Sequence, residues 1–432
     1  MCFDFVFLSL RHEKSPSLNR EQSEALGWYS RSLSRIRTRI DGGNVDVQVA
    51  LVSCVLFVCI ETLQGHVEEA LQLYHQGVRL ILDVRANGGV GPQSSAARLE
   101  RTIVPLFIRL GTVALTYSGV PVCDLFDLFG LEGEYKFSSL ETARDALMPL
   151  AYKALILQKD AGSNPWLGID TNITPELLAT QITLQKYLKD WYRAYADLTQ
   201  TSQTKRPPTG SMSNTSITAL LLTYHTTLTM IVATCLTQSK SVYDAYIPGF
   251  RTIVEQASIA LDASANSDAA QPAFTFELGV GLPLFWTALE CREPCLRRRA
   301  LALLQIAPPM QGFYKCAPGI ALAGKIMQLE EGFARQILAD KQAKQLESYH
   351  LPTPPYEDAE ERKVVILEIP EEARIRHYTV FRPRDQPFLL GPHDVSKWDR
   401  GLDQLFMRFT RYRPDSADWE GWGLTDEIVP ME

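Results

Sequence analysis

The chain has 432 residues, 46% of them apolar and 22% charged, with a formal net charge of −7 and a pI near 5.6. Those proportions exclude a chain disordered throughout and supply a large core, and the length leaves room for two or three units of about 150 residues. The negative balance excludes a protein-wide positive field toward phosphate backbones or anionic lipid, so any nucleic-acid contact would be local.

The opening MCFDFVFLSL is apolar but carries Asp4, lacks a basic leader and runs into RHEK, so it reads as a short helix or a misplaced start rather than a signal peptide. Arg31, Arg35, Arg37 and Arg39 follow as a basic cluster: a solvated helix face, a basic linker or a nuclear localisation patch. From Val45 to Leu63 the residues are apolar on nearly every side, which predicts a helix packed by neighbours all round. Its longest apolar run, Val49 to Ile60, is shorter than the roughly 18 to 20 residues that span a bilayer, so no membrane association is expected. Gly65 breaks it. Val67, Leu71, Tyr74, Val78 and Ile81 then form an apolar stripe opposite Glu68, Glu69, Gln72 and Gln76, predicting the second arm of a helical hairpin that ends at the NGGVGP cluster, Asn87 to Pro92.

Ser138, three residues before Glu141, has capping-box spacing for a helix to about Gln158. Thr174-Pro175-Glu176 offers an N-cap, a preset first φ and an early negative charge for a helix to about Ala196. The polar stretch Thr199 to Ser216, with Pro207, Pro208 and Gly210, predicts a linker or mobile loop. Further helices are expected over Ile217 to Leu236, Arg251 to Leu261, Arg297 to Leu304 and Ile320 to Ile337. Near the end, Val364 to Ile369 and Arg376 to Phe381 are rich in β-branched residues and predict a β-hairpin. The expected fold is all-α, one large irregular multi-helix body with a small C-terminal β-hairpin. It divides into an N-terminal segment 1–40, helical halves 41–198 and 217–345 around the linker 199–216, and a tail 346–432.

Four stretches resemble the regulatory region of the fungal-specific transcription factor family, the zinc-cluster regulators. Leu51 to Leu82 is similar to its opening helical hairpin, and Tyr243 to Phe250 to its aspartate-tyrosine loop. Phe274 to Leu304 follows its order of an aromatic Gly-Pro approach, an apolar helix, a Cys-Arg pair and a Leu-Arg-Arg run, and Gln311 to Cys316 stands in place of an acidic-Gly-aromatic step. The resemblance covers Val45 to Glu331, departing at Gln311 where the family carries an acid, and the six-cysteine binuclear zinc cluster is not in this sequence. It implies a nuclear transcriptional regulator, of a metabolic gene set, that works through protein partners or a small-molecule effector and does not read DNA alone. A truncated gene model of a full zinc-cluster factor, a helical scaffold, and an enzyme whose site no motif reveals remain open alternatives.

The eight cysteines, Cys2, Cys54, Cys59, Cys123, Cys235, Cys291, Cys295 and Cys316, are scattered through apolar segments, which fits reduced thiols in the cytosol or nucleus. Cys291 and Cys295, four apart, would share one face of a helix and supply half a zinc site, but no second pair stands nearby and they read as buried or half-buried thiols. His66 and His75 are nine apart, too far for the helical metalloprotease arrangement, and GVGLP, Gly279 to Pro283, lacks the third glycine of a dinucleotide loop. With no nucleophile elbow or phosphate loop, no enzymatic activity, metal or cofactor is expected. Arg292, Arg297, Arg298 and Arg299 form the candidate site: a contact for an acidic partner or effector, against the plainer reading of a solvated or acid-paired helix face.

Overall fold

The computed structural model describes residues 20–41, 47–87, 95–118, 134–162, 173–204, 212–237, 239–268, 270–276, 279–348, 368–389, 403–412 and 424–431. They are mostly helix, as expected for an all-α body. In chain order the helices are α1 (Arg20–Asp41), α2 (Val47–Gln64), α3 (Val67–Asn87), α4 (Ser95–Ser118), α5 (Leu140–Asp160), α6 (Pro175–Thr204), α7 (Met212–Thr234), α8 (Ile247–Ser264), α9 (Gly281–Glu290), α10 (Pro294–Ile306) and α11 (Cys316–Ser348). A short 3-10 turn, Lys240–Tyr246, leads into α8.

Local chemistry explains most boundaries. Gly65 takes φ +85° between α2 and α3, a conformation that favours glycine, and the two helices fold back as a hairpin. On α3 the inner row Tyr74, Val78 and Ile81 is buried and the glutamates and glutamines face out, as the stripe predicts. Gly77 lies on that inner side because Phe107 of α4 packs where a Cβ would stand, 2.5 Å from its ring atoms. Thr174 accepts a hydrogen bond from Leu177 N–H at 3.3 Å ahead of Pro175 at the start of α6. Leu184, Leu188, Trp191 and Tyr195 form the buried row of α6, with the Trp191 Nε1–H donating to Ala143 O on α5 at 2.8 Å. Helices α7 and α8 pair along their lengths, and α9, buried along its whole length, lies among α8, α10 and α11.

Four expectations are corrected. The cap of α5 is Ser139, not Ser138: Ser139 Oγ accepts from Thr142 N–H, and Thr142 Oγ1 accepts from Ser139 N–H at 3.1 Å. The presumed linker is largely helix. α6 continues to Thr204 and α7 starts at Met212, because extending a formed helix costs far less than nucleating one; residues 205–211 lie outside the described residues. Helix α2 is not packed on every side, since an outer row remains open to solvent. The hairpin is instead a three-stranded antiparallel sheet: β4 (His377–Phe381) pairs with β5 (Phe406–Tyr412), and β5 with β6 (Leu424–Pro430). Glu368 and Ile369 are not strand but approach a 3-10 turn at Glu371–Ala373, and residues 364–367 lie outside the described residues.

Phe409 of β5 packs against Phe333 of α11 with tilted rings, centroids 6.0 Å apart, which seats the tail sheet on the helical body. A second small sheet joins β1 (Phe274–Thr275), β2 (Met310–Gln311) and β3 (Tyr314–Lys315), with β1 parallel to β2. α2 and residues 214–234 of α7 are long and apolar enough, by length and composition, to cross a membrane, with mean hydropathies of 1.9 and 1.4; both are packed here against other helices of the body.

Candidate functional site

The C-terminal end of α9 leaves backbone carbonyls without helical partners, and two arginines supply them. Arg297 Nε–H donates to Ala288 O at 2.7 Å, and Arg292 Nη1–H donates to Glu290 O at 2.7 Å. Pro294 starts α10 between them, with the Glu293 carboxylate accepting from Leu296 N–H at 2.6 Å as its cap. The same two arginines converge on Glu330 of α11: Arg292 Nη2 lies 2.6 Å from Oε1 and Arg297 Nη1 lies 2.7 Å from Oε2. Glu290 completes the inner cluster, holding Arg292 Nη1 at 3.1 Å and Lys240 Nζ at 2.8 and 3.0 Å.

Around this core the tail closes a second ring. Ile375 N–H donates to Glu330 Oε1 at 2.9 Å, and the Glu371 carboxylate accepts from Lys240 N–H at 2.8 Å. Arg374 reaches back across the chain to Lys240 O at 3.0 Å and to both Asp244 oxygens at 3.1 and 2.7 Å. Beneath the charges Tyr243, Phe250 and Trp286 form an aromatic floor with centroids 5.3 to 6.5 Å apart.

Burial and charge compete here, and charge wins at the acids. Burial raises the Glu290 carboxyl, but Lys240 and Arg292 outweigh it and hold it below the ordinary range; Glu330 is likewise raised by burial and then lowered further by Arg292 and Arg297. Burial lowers the Lys240 ammonium despite Glu290. Arg292, buried between two carboxylates, is held above its usual value, whereas Arg297, with one, is lowered by burial. The inner group therefore brings three basic side chains, Lys240, Arg292 and Arg297, against two carboxylates in mutual contact.

The four arginines of the candidate contact thus divide. Arg292 and Arg297 are buried and cannot meet an external partner, while Arg298 and Arg299 face solvent, Arg298 pairing with Glu331 at 2.6 Å. Sequence reasoning missed Lys240, Glu290, Glu330 and Arg374, which carry the arrangement together with Arg292 and Arg297. The signal in reach was the excess of charge inside an apolar context: Glu290 ends the run LPLFWTAL, where a carboxylate requires a partner. Gln311 is buried with a structural task. Its Oε1 accepts from Gly281 N–H at 2.8 Å at the start of α9, and its Nε2–H donates to Pro308 O at 3.0 Å. A carboxylate could do only the first of these. The same side chain explains GVGLP, because a Cβ on Gly279 would stand 2.1 Å from Gln311 Oε1.

Cys291 and Cys295 do not share a helix face: Cys291 is buried at the end of α9 and Cys295 is exposed on α10. Burial pushes the Cys291 thiol up to about 11 and Cys316 up to about 12, which keeps both protonated and unreactive near neutrality. Among the described residues no group of three or more His, Cys, Asp or Glu is placed to hold a metal. His66 Nδ1 meets Glu61 at 2.8 Å, and Tyr29 of α1 hydrogen-bonds the same carboxylate; His75 faces outward. Arg31, Arg35 and Arg39 are exposed on α1, and the Arg37 side chain, Cys2 and Cys123 lie outside the described residues. Compared with family models, with curated proteins and with solved structures, the chain has no match in any of the three.

Proposed function

We propose that this chain is a nuclear transcriptional regulator of the fungal zinc-cluster type that acts through protein contacts or a bound effector, without reading DNA itself. One observation carries the reading. Three of the stretches that bear the family resemblance are joined in space through the middle one: Tyr243 and Phe250 pack on Trp286 at the aromatic floor, and Gln311 accepts from Gly281 N–H at the α9 start. A motif order that also makes one packed unit is supported more strongly than four separate likenesses along a chain. The net charge of −7 favours a protein partner over a phosphate backbone.

The test is to tether the full chain to a reporter promoter through an unrelated DNA-binding domain. A change in reporter output, lost when Glu330→Gln disrupts the ion cluster and retained in Arg299→Ala, is the expected result. A silent tethered chain that is folded and nuclear overturns the reading, as does nanomolar binding of the isolated chain to a defined DNA site at physiological salt.

A further inference from the structure

At about 100° per residue, Trp28, Arg31, Arg35 and Arg39 of α1 fall within one sector of about 80°, and all four are exposed. Tyr29 lies outside that sector and holds α1 to α2, packing on the Phe57 ring at 5.2 Å and hydrogen-bonding Glu61. The row therefore faces solvent, and from Trp28 to Arg39 it runs about 16 Å along the helix. Trp28 is 65% exposed, with the Arg31 guanidinium 4.1 Å over its ring and the Arg31 Nε–H donating to Gly27 O at 3.0 Å. Among the described residues no carboxylate pairs with Arg31, Arg35 or Arg39, although exposed Glu24 shares their side of the helix. That sets them apart in a chain of net charge −7, where Arg193, Arg298 and Arg384, also at the surface, pair with Asp190, Glu331 and Asp403 at 2.6 to 2.9 Å.

We propose that this face of α1 is a contact for an acidic segment of another protein, one that offers carboxylates to Arg31, Arg35 and Arg39 and an apolar side chain to the open side of Trp28. Arginine's planar fork binds a carboxylate through two N–H groups, and tryptophan and arginine are the residue types that dominate binding energy where proteins meet. Phosphate would satisfy the same arginines. A nucleic-acid strand, however, runs on past a row of about 16 Å into a body of net negative charge, whereas a short acidic segment ends with the row. A second copy is a poorer occupant, since a twofold pairing of these faces sets arginines against arginines. A lipid surface is matched by a broad apolar face, and this one carries a single tryptophan among charges. The proposal stands on α1 alone and does not depend on the transcription reading.

The probe is a labelled helical peptide of about 15 residues, long enough to cover the row, with glutamates along one face and a leucine beside them, titrated with the full chain. Saturable binding is expected, weakened at least about tenfold by Arg35→Glu with Arg39→Glu and by Trp28→Ala; added salt weakens it too. The same peptide with lysine in place of each glutamate should bind the double variant and not the native chain, a reversal that mere unfolding of α1 does not produce. Circular dichroism checks that each variant is folded. Absence of saturable binding, binding that ignores both variants, or failure of the charge reversal overturns the proposal. So does a DNA duplex of random sequence, or a phosphatidylserine vesicle, that binds more tightly than the peptide at the same salt and is released by Arg35→Glu with Arg39→Glu, because the face then belongs to phosphate.

Discussion

Arg297 and Arg298 adjoin in sequence and differ in nearly every physical respect. Arg297 is buried against Glu330 and the Ala288 carbonyl, so Arg297→Ala leaves a carboxylate in the interior with one fewer cation, at a cost of about 3–5 kcal/mol. Arg298 sits in solvent on Glu331, and Arg298→Ala should change stability by no more than about 0.5 kcal/mol. Urea unfolding of the two variants measures the contrast, and equal effects would mean that the buried cluster is not what holds α9 to α11. The glycines offer a matching pair. Gly77→Ala drives a methyl group into the Phe107 ring and should cost about 1–3 kcal/mol. Gly332→Ala, at an exposed position of α11 with nothing within 4 Å, should stabilise by about 0.5–1 kcal/mol.

Between elements, the contact of α6 with α7 depends on an imidazole kept neutral. His225 of α7 is only half-buried by surface area, yet its ring is stacked between Trp191 at 5.3 Å and Tyr192 at 5.0 Å, and its Nε2–H donates to Leu188 O at 3.0 Å. Burial lowers its pKa from the usual 6.5 to about 4. The unfolded chain therefore binds the proton first as pH falls: this stability is complete above pH 6.5 and is lost progressively down to about pH 4. The loss amounts to about 2–3 kcal/mol. Below that, Glu290 and Glu330, both held under the ordinary carboxylate range, add to the loss only as they too are protonated. Unfolding free energies between pH 7 and pH 4 should fall for the native chain and flatten in His225→Gln. An unchanged slope in the variant would assign the pH dependence elsewhere.

For the molecule as a whole, the tail functions as a clamp. Arg374 ties Asp244, Glu371 ties Lys240, and the Ile375 N–H ties Glu330, so the sheet of β4 to β6 reaches the inner charges from outside. A chain ending at Ser348 loses these partners while Lys240 and Glu330 stay in place. It should melt several degrees lower than the full chain, as expected for a loss of a few kcal/mol in a protein of this size. An equal melting temperature, followed by calorimetry, would show the tail to be an independent appendage.

Much of the element layout was determined by the sequence alone, because helix period, glycine turns and N-caps act over a few residues. The Tyr74, Val78 and Ile81 row, the Gly65 break and the Thr174-Pro175 start are all cases of this. Strands β5 and β6 escaped notice because FMRFTRY and LTDEIVP do not declare a partner until β4 is placed beside them. The charges were decided only by the tertiary structure. Nothing near Glu330 in sequence distinguishes it from Glu331, its neighbour on the same helix, yet one is buried under two arginines 38 and 33 residues away and the other pairs with Arg298 at the surface. Whether a charge is solvated or buried depends on which distant groups the fold brings within about 4 Å of it, and that distance is set by packing between helices rather than by any local pattern.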